Sequence, residues 1–448
     1  MIQREVLPNG VRIVTENITY VQSVALGIWV GVGARDESDK VRGISHVIEH
    51  MLFKGTPTRT AQQIADQIDS VGGDINAFTS KENTCYYVRI LSEHVPLAVD
   101  VLADMFLNSN IDAEELAREQ NVILEEIKRR DDEPDDLVHD MFAQTLWPNH
   151  VLGKSIIGTP ETVSGLKSPD LKNYMAQRYT PDTIVVAAAG NLNHEEIVAM
   201  VRERLGHLTG SKADWRAPDT LPQFTPETVY IEKPIEQVNL VIGAPGYSQL
   251  SDDKYKLSIL DNVLGGSMSS RLFQEIREKR GLAYSIGSYS QSYREGGYFG
   301  VYSGTSPKTA EQVIELVRAE FKNVHKNNIT EKELERSKNQ FRGSIVMSQE
   351  GMNSRMMRIG RNELTYDRVI PIDEIMGKIT SVTLDDIAEV TEYLFGRNEY
   401  AMATVGPFAK SAKNGTGNGS PKKKPEKVEN PEKPDKKAEV KRVAKAGK

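Results

Sequence analysis

Ile44-Ser45-His46-Val47-Ile48-Glu49-His50-Met51-Leu52-Phe53 decides how the rest of the chain is read, because nowhere else do three metal-competent side chains stand so close together. As a helix, the stretch puts His46, Glu49 and His50 at i, i+3 and i+4 on one face and turns Ile44, Val47, Ile48 and Met51 towards a core. Two imidazoles and a carboxylate then converge on one point. The plainer alternative is a buried helix whose histidines hydrogen-bond locally and whose Glu49 is solvated. Gathering two His and a Glu on one face without a cation would be costly.

The spacing is His-x-x-Glu-His, the inversion of the His-Glu-x-x-His zinc-protease pattern, in which the two His bind Zn²⁺ and the Glu is general base towards water. With only eight His in 448 residues, the pattern arises by chance in roughly one per cent of such chains. Two His fill half of a tetrahedral zinc site, so a third protein ligand is needed, with the fourth position left to water. The helical stretch from Ala113 to Arg130 offers Glu114, Glu115, Glu119, Glu125 and Glu126. Glu119 and Glu126 are seven apart, two turns along one face. Spacing alone does not choose Glu126 over Glu125, and a solvated surface carboxylate is the default for each of them.

At 448 residues the chain exceeds what one core supports, and two domains are expected. A hydrophobic content of 39% places it among globular proteins, not disordered or fibrous ones. The net charge of −7 hides an uneven distribution. Lys410 to Lys448 holds 13 basic and 5 acidic residues, net +8, which leaves −15 on the rest. So acidic a body argues against nucleic acid as a partner and suits cationic peptides. The start, Met1-Ile2-Gln3-Arg4-Glu5-Val6-Leu7, has no apolar targeting region, and the apolar run Val24 to Ala34 is too short to span a bilayer. No membrane association is expected. The single cysteine, Cys85, lies in a strand-like run and reads as a core residue, compatible with a reducing cytoplasm.

In chain order, Glu5-Val6-Leu7 and Val11 to Thr15 flank a Pro8-Asn9-Gly10 turn and predict a hairpin. A strand follows at Ser23 to Val32, then the polar loop Gly33 to Arg42 and the His46 helix. Thr60 caps a helix from Ala61 to Ile68, and Asp74 to Ser80 and Asn83 to Leu91 alternate like paired strands. Gly206 to Pro226 has linker composition. The tail from Ala409 is rich in Lys, Pro and Glu and cannot bury enough apolar surface to order itself. The domains so drawn are 1–208, a linker 209–226, 227–408 and a disordered tail 409–448.

His46-x-x-Glu49-His50 followed by Glu126 in Glu119-Gln120-Asn121-Val122-Ile123-Leu124-Glu125-Glu126 resembles the pitrilysin/insulinase superfamily of zinc metallopeptidases, and most closely its processing-peptidase branch. The resemblance continues through Trp147-Pro148-Asn149-His150, Ile157-Gly158-Thr159-Pro160-Glu161, Tyr179-Thr180-Pro181-Asp182 and Ala189-Gly190-Asn191. It resumes at Gly265 to Tyr284 in the second half. It implies an α+β fold of two related domains, each an antiparallel-rich sheet packed with helices, enclosing a peptide chamber. It also implies His46, His50 and Glu126 as zinc ligands, Glu49 as base and Glu119 as a supporting carboxylate. Arg277 and Tyr284 would grip the substrate carbonyl from the other domain, and Gly73 to Thr79, with Asn76 and Ala77 at its middle, would be an edge strand to which a peptide adds. From the residues alone, Arg277 is equally one of several helix charges and Tyr284 a core aromatic.

Asp136 and Asp140 fall at i and i+4 if the segment after Pro134 is helical, and similar acidic residues in processing peptidases read an arginine near the cut. A solvated acidic loop is the alternative. The second half contains only His325, so one zinc per chain is expected. Both halves are present in one chain, so a homodimer acting on peptides is expected. A metal-free scaffold subunit of the same fold is the competing reading, against which the intact His46, Glu49, His50 and Glu126 weigh.

Overall fold

The opening hairpin forms as its turn predicts: β1 (Ile2–Val6) pairs antiparallel with β2 (Arg12–Asn17) around Pro8-Asn9-Gly10. This computed structural model describes residues 1–211 and 220–407; the middle of the expected linker and the basic tail lie outside the described residues. After the hairpin come β3 (Ser23–Val30), α1 (Ile44–Leu52), α2 (Ala61–Asp69), β4 (Asp74–Thr79) and β5 (Thr84–Leu91). Thr60 caps α2 in a reciprocal box with Gln63. Then follow α3 (Val95–Asn108), α4 (Ala113–Asp132), α5 (Pro134–Leu146), α6 (Pro160–Gly165), α7 (Ser168–Arg178), β6 (Ile184–Gly190) and α8 (His194–Leu205).

The second half begins with β7 (Thr228–Glu232), β8 (Val238–Gly246), α9 (Asp253–Leu264), β9 (Ala283–Ser292) and β10 (Gly297–Thr305). It continues through α10 (Ala310–Asn327), α11 (Glu331–Ser348), α12 (Met352–Tyr366), α13 (Ile372–Thr380) and α14 (Leu384–Phe395) to β11 (Ala401–Gly406).

Two sheets result, ordered β1-β2-β6-β3-β5-β4 and β7-β11-β8-β10-β9. Setting β1 aside, they match strand for strand. β2–β6 and β7–β11 are the parallel pairs, and the other neighbours are antiparallel. The two related domains that the family resemblance implies are thus visible as matching topology, and β4 and β9 are the equivalent edges.

Each sheet buries one face under helices of its own half. The opposite faces are covered by exchange. α5, from the first half, lays Val138, Phe142 and Leu146 against Val241, Ala401 and Ala403 of the second sheet. α12, from the second half, lays Met352, Met356 and Ile359 against Val14, Ala25 and Trp29 of the first. Gly360 permits the close approach of α12, since any Cβ there would overlap the Trp29 indole. Ion pairs join the same two layers: Arg4 donates two hydrogen bonds from Nε and one from Nη2 to the fully buried Glu363, and the buried Arg12 reaches the exposed Asp367 at 2.6 Å. Cys85 is a free, buried thiol in this layer. No helix among the described residues is long and apolar enough to cross a membrane.

Candidate metal centre

The apolar face of α1 dictates where its polar face points. Ile44, Val47, Ile48, Met51 and Leu52 are each at most 1% exposed, and burying each contributes roughly 1.5–3 kcal/mol. Rotating α1 would forfeit that burial, so His46, Glu49 and His50 are held on the opposite side.

α4 packs on α1 and brings Glu126 to the two imidazoles. Glu126 Oε2 lies 3.8 Å from His46 Nε2 and 3.7 Å from His50 Nε2. One donor atom from each of the three falls within 4.8 Å of the others, and no other such trio forms among the described residues. Ligand atoms around a tetrahedral zinc stand about 3.4 Å apart, so the spacing and the N, N, O donor set both fit that ion.

The protonation states fit as well. Burial, with the neighbouring His50, holds the pKa of His46 down to about 4, so its ring is neutral near pH 7. His50 Nδ1 lies 3.0 Å from Glu119 Oε2. A carboxylate only accepts, so Nδ1 is the donor of that pair, and in the neutral ring Nε2 is then the nitrogen free to ligate. Burial opposes a charge on Glu119, but Lys54, 2.7 Å away, and His50 together hold its carboxyl below the usual range. His46 is less constrained: its Nδ1 is buried without a hydrogen-bond partner among the described residues.

Glu49 shares this face. Burial raises its pKa, and the Glu126 charge adds to the effect, against the opposing influence of a Thr79 hydrogen bond and of His50. Thr79 Oγ1 donates to Glu49 Oε2 at 2.5 Å. Thr79 ends β4, the sheet's edge, so the carboxylate is tied to an open strand. At the middle of that strand Asn76 is exposed and Ala77 half-buried, and Asn76 Oδ1 accepts the Ala77 N–H at 2.8 Å.

Arg277 and Tyr284 come together. Arg277 lies in a π-helical turn, Phe273–Glu278, with its guanidinium 4.7 Å from the Phe273 ring centroid and 5.9 Å from that of Tyr284. Tyr284, near the start of β9, is 77% exposed, so it is no core aromatic. Neither side chain hydrogen-bonds or ion-pairs with His46, His50, Glu126 or Glu49.

Asp136 and Asp140 do lie one turn apart on α5, and Asp136 is exposed. Asp140 is engaged: its Oδ2 accepts from Arg130 Nη1 at 3.0 Å and from Ser155 Oγ at 2.9 Å. Arg130, one turn beyond Glu126 on α4, thus already pairs with one of the two carboxylates expected to read a substrate arginine. Sequence reasoning missed Arg130, Lys54 and Thr79, whose roles rest on contacts between separate elements.

Comparison with known proteins places this arrangement in a family. Residues 12–160 match the model described as insulinase (peptidase family M16), and residues 166–341 the one described as peptidase M16 inactive domain. YmxG of Bacillus subtilis, an uncharacterized zinc protease, is 43% identical over 412 residues, spanning 91% of this chain and 98% of that protein. The chain belongs to peptidase family M16. An uncharacterized zinc protease of Streptomyces coelicolor is 40% identical over 414 residues, 91% of this chain and 90% of that one. The crystal structure of a protease from Helicobacter pylori superposes with a TM-score of 0.85 at 20% identity, covering 91% of this chain and 99% of that one, a likeness of fold. His46, Glu49, His50 and Glu126 all fall within the first M16 match, and Arg277 and Tyr284 within the second.

Proposed function

We propose that this M16 chain is a zinc-dependent endopeptidase acting on unfolded or short peptides. The observation that carries the reading is the convergence of His46, His50 and Glu126 beside a half-buried Glu49 whose hydrogen-bond donor lies on an edge strand. His46, His50 and Glu126 would hold one Zn²⁺ per chain. Bound there, the ion supplies Lewis-acid polarisation of a peptide carbonyl and lowers the pKa of water towards neutrality.

The chain's own residues supply the rest. Glu49 takes a proton from the attacking water and returns it to the leaving amine, and its raised pKa suits a group that must hold that proton between the two transfers. Glu119 and Lys54 orient His50 through Nδ1. A peptide adding to β4 along Asn76 and Ala77 by main-chain hydrogen bonds would run past Thr79, and so beside Glu49. Arg277 and Tyr284 would donate to the carbonyl oxygen as charge develops on it. A chamber between the halves would admit extended chains and exclude folded ones. With both halves in one polypeptide, a homodimer with two sites is the assembly we propose. A processing-type preference for Arg near the cut would use Asp136 and Asp140, and would require Arg130 to release Asp140.

Zinc removal tests the reading. The purified protein should hold about one zinc per chain, cleave an unstructured peptide, lose cleavage on chelation and regain it with zinc. Cleavage that continues undiminished in metal-free protein would contradict it.

A further inference from the structure

α1 begins without a side-chain cap of its own. Its N-cap is Gly43, at φ +92° and ψ −1°. A Cβ at that position would come within 2.9 Å of the Ile157 carbonyl. Both the backbone conformation and the crowding exclude the Ser, Thr or Asp that usually caps a helix. The orphan N–H groups of the first turn are taken by a carboxylate from the preceding loop instead. Glu37 Oε2 accepts from Gly43 N–H at 2.7 Å, and Glu37 Oε1 accepts from Ser45 N–H at 2.9 Å.

This arrangement is unusual for a carboxylate. Glu37 is only 3% exposed and forms no ion pair among the described residues; the nearby Arg42 guanidinium is engaged by Asp39 at 2.6 Å. Burial pushes its pKa up to about 7, against the opposing pull of the two backbone donors. Each oxygen serves one N–H, and the positive end of the helix favours the charge. The residue after Ser45 is His46.

We propose that Glu37 is a positioning residue for the metal centre: by holding the N–H groups of Gly43 and Ser45 it fixes the start of α1, and with it the angle at which His46, Glu49 and His50 meet Glu126. The inference rests on reading that cluster as a zinc site. Glu37 hydrogen-bonds the α1 backbone and neither the ligands nor the edge strand, so it acts through the helix. α1 has nine residues, a length at which helices are marginal without outside support, and His46 lies in the first turn. Glu126 stands on a separate element, α4, so fraying of that turn would separate the ligands.

Glu37→Gln keeps the shape but offers one acceptor oxygen and sets an NH₂ group against the second N–H. The variant should fold with the parental circular dichroism spectrum, bind zinc about tenfold more weakly in competition with a chelator, and show an altered visible spectrum when loaded with cobalt. At saturating zinc its kcat should fall, whereas its KM, set by β4, should stay within about twofold. A folded Glu37→Gln protein with parental zinc affinity and cobalt spectrum would overturn the proposal. A parent that binds no zinc would overturn the reading of the site instead. Should the variant not fold, amide hydrogen exchange in the zinc-free parent decides: Gly43 and Ser45 should be protected like Ile48, and loop-like exchange there would refute the clamp.

Discussion

α1 and α9 fill the same place in two matching halves, each lying in the chain between a buried strand and the edge strand of its sheet. Each also sets a carboxylate against a hydroxyl from that edge strand: Glu49 meets Thr79 of β4, and Asp261 meets Ser288 of β9. Burial raises both carboxyls, Asp261 to about 6. The halves part company at the imidazoles. α9 has none, and the only His of the second half, His325, pairs with Glu392 at 2.7 Å, far along the chain on α10. The fold therefore provides a half-buried carboxylate and hydroxyl twice, and the proposed metal site arises where two ring nitrogens one turn apart meet a glutamate from a crossing helix.

The largest test of that difference falls on the crossing helix. Glu126→Gln should weaken zinc binding by about a hundredfold, whereas Glu125→Gln should leave it unchanged, because Glu125 is solvent-facing and pairs with Lys128 at 2.5 Å. Chelator competition on both variants measures this, and the reverse ranking would show that the wrong carboxylate has been chosen.

A smaller effect is expected one turn further along α4, where Arg130 holds Asp140. Arg130→Ala should free that carboxylate and raise kcat/KM for peptides with Arg near the scissile bond about fivefold over their Ala counterparts, the magnitude of one partly exposed ion pair. The gain should shrink at high salt. If Arg130→Ala leaves the Arg-to-Ala ratio unchanged, Asp136 and Asp140 do not read the substrate.

Much of this was legible in the sequence because local rules decide it. The Pro8-Asn9-Gly10 turn, the Thr60 cap, the alternation in β4 and β5 and the one-sided apolar pattern of α1 each act within a few residues, and each formed as expected. The exchange of α5 and α12 was not legible. An amphipathic pattern says that a helix buries one face, not which sheet receives it, and Val138 and Met356 look the same whichever half they cover. The supports of the metal centre were hidden for a related reason. Thr79, Lys54 and Glu37 are ordinary polar residues whose meaning comes from partners 30, 65 and 8 positions away, and Arg130, the partner of Asp140, sits among several charges at a helix end.

The measurement that tests the central claim most directly is zinc content and peptide hydrolysis determined together on Glu49→Gln, with Asp261→Asn as its counterpart in the second half. Glu49→Gln should keep the parental zinc while hydrolysis falls by about 10²–10⁴-fold, and Asp261→Asn should retain both zinc and hydrolysis. Hydrolysis at the parental rate in zinc-loaded Glu49→Gln, or loss of the metal along with activity, would contradict the assignment of Glu49 as the base beside a His46, His50 and Glu126 centre.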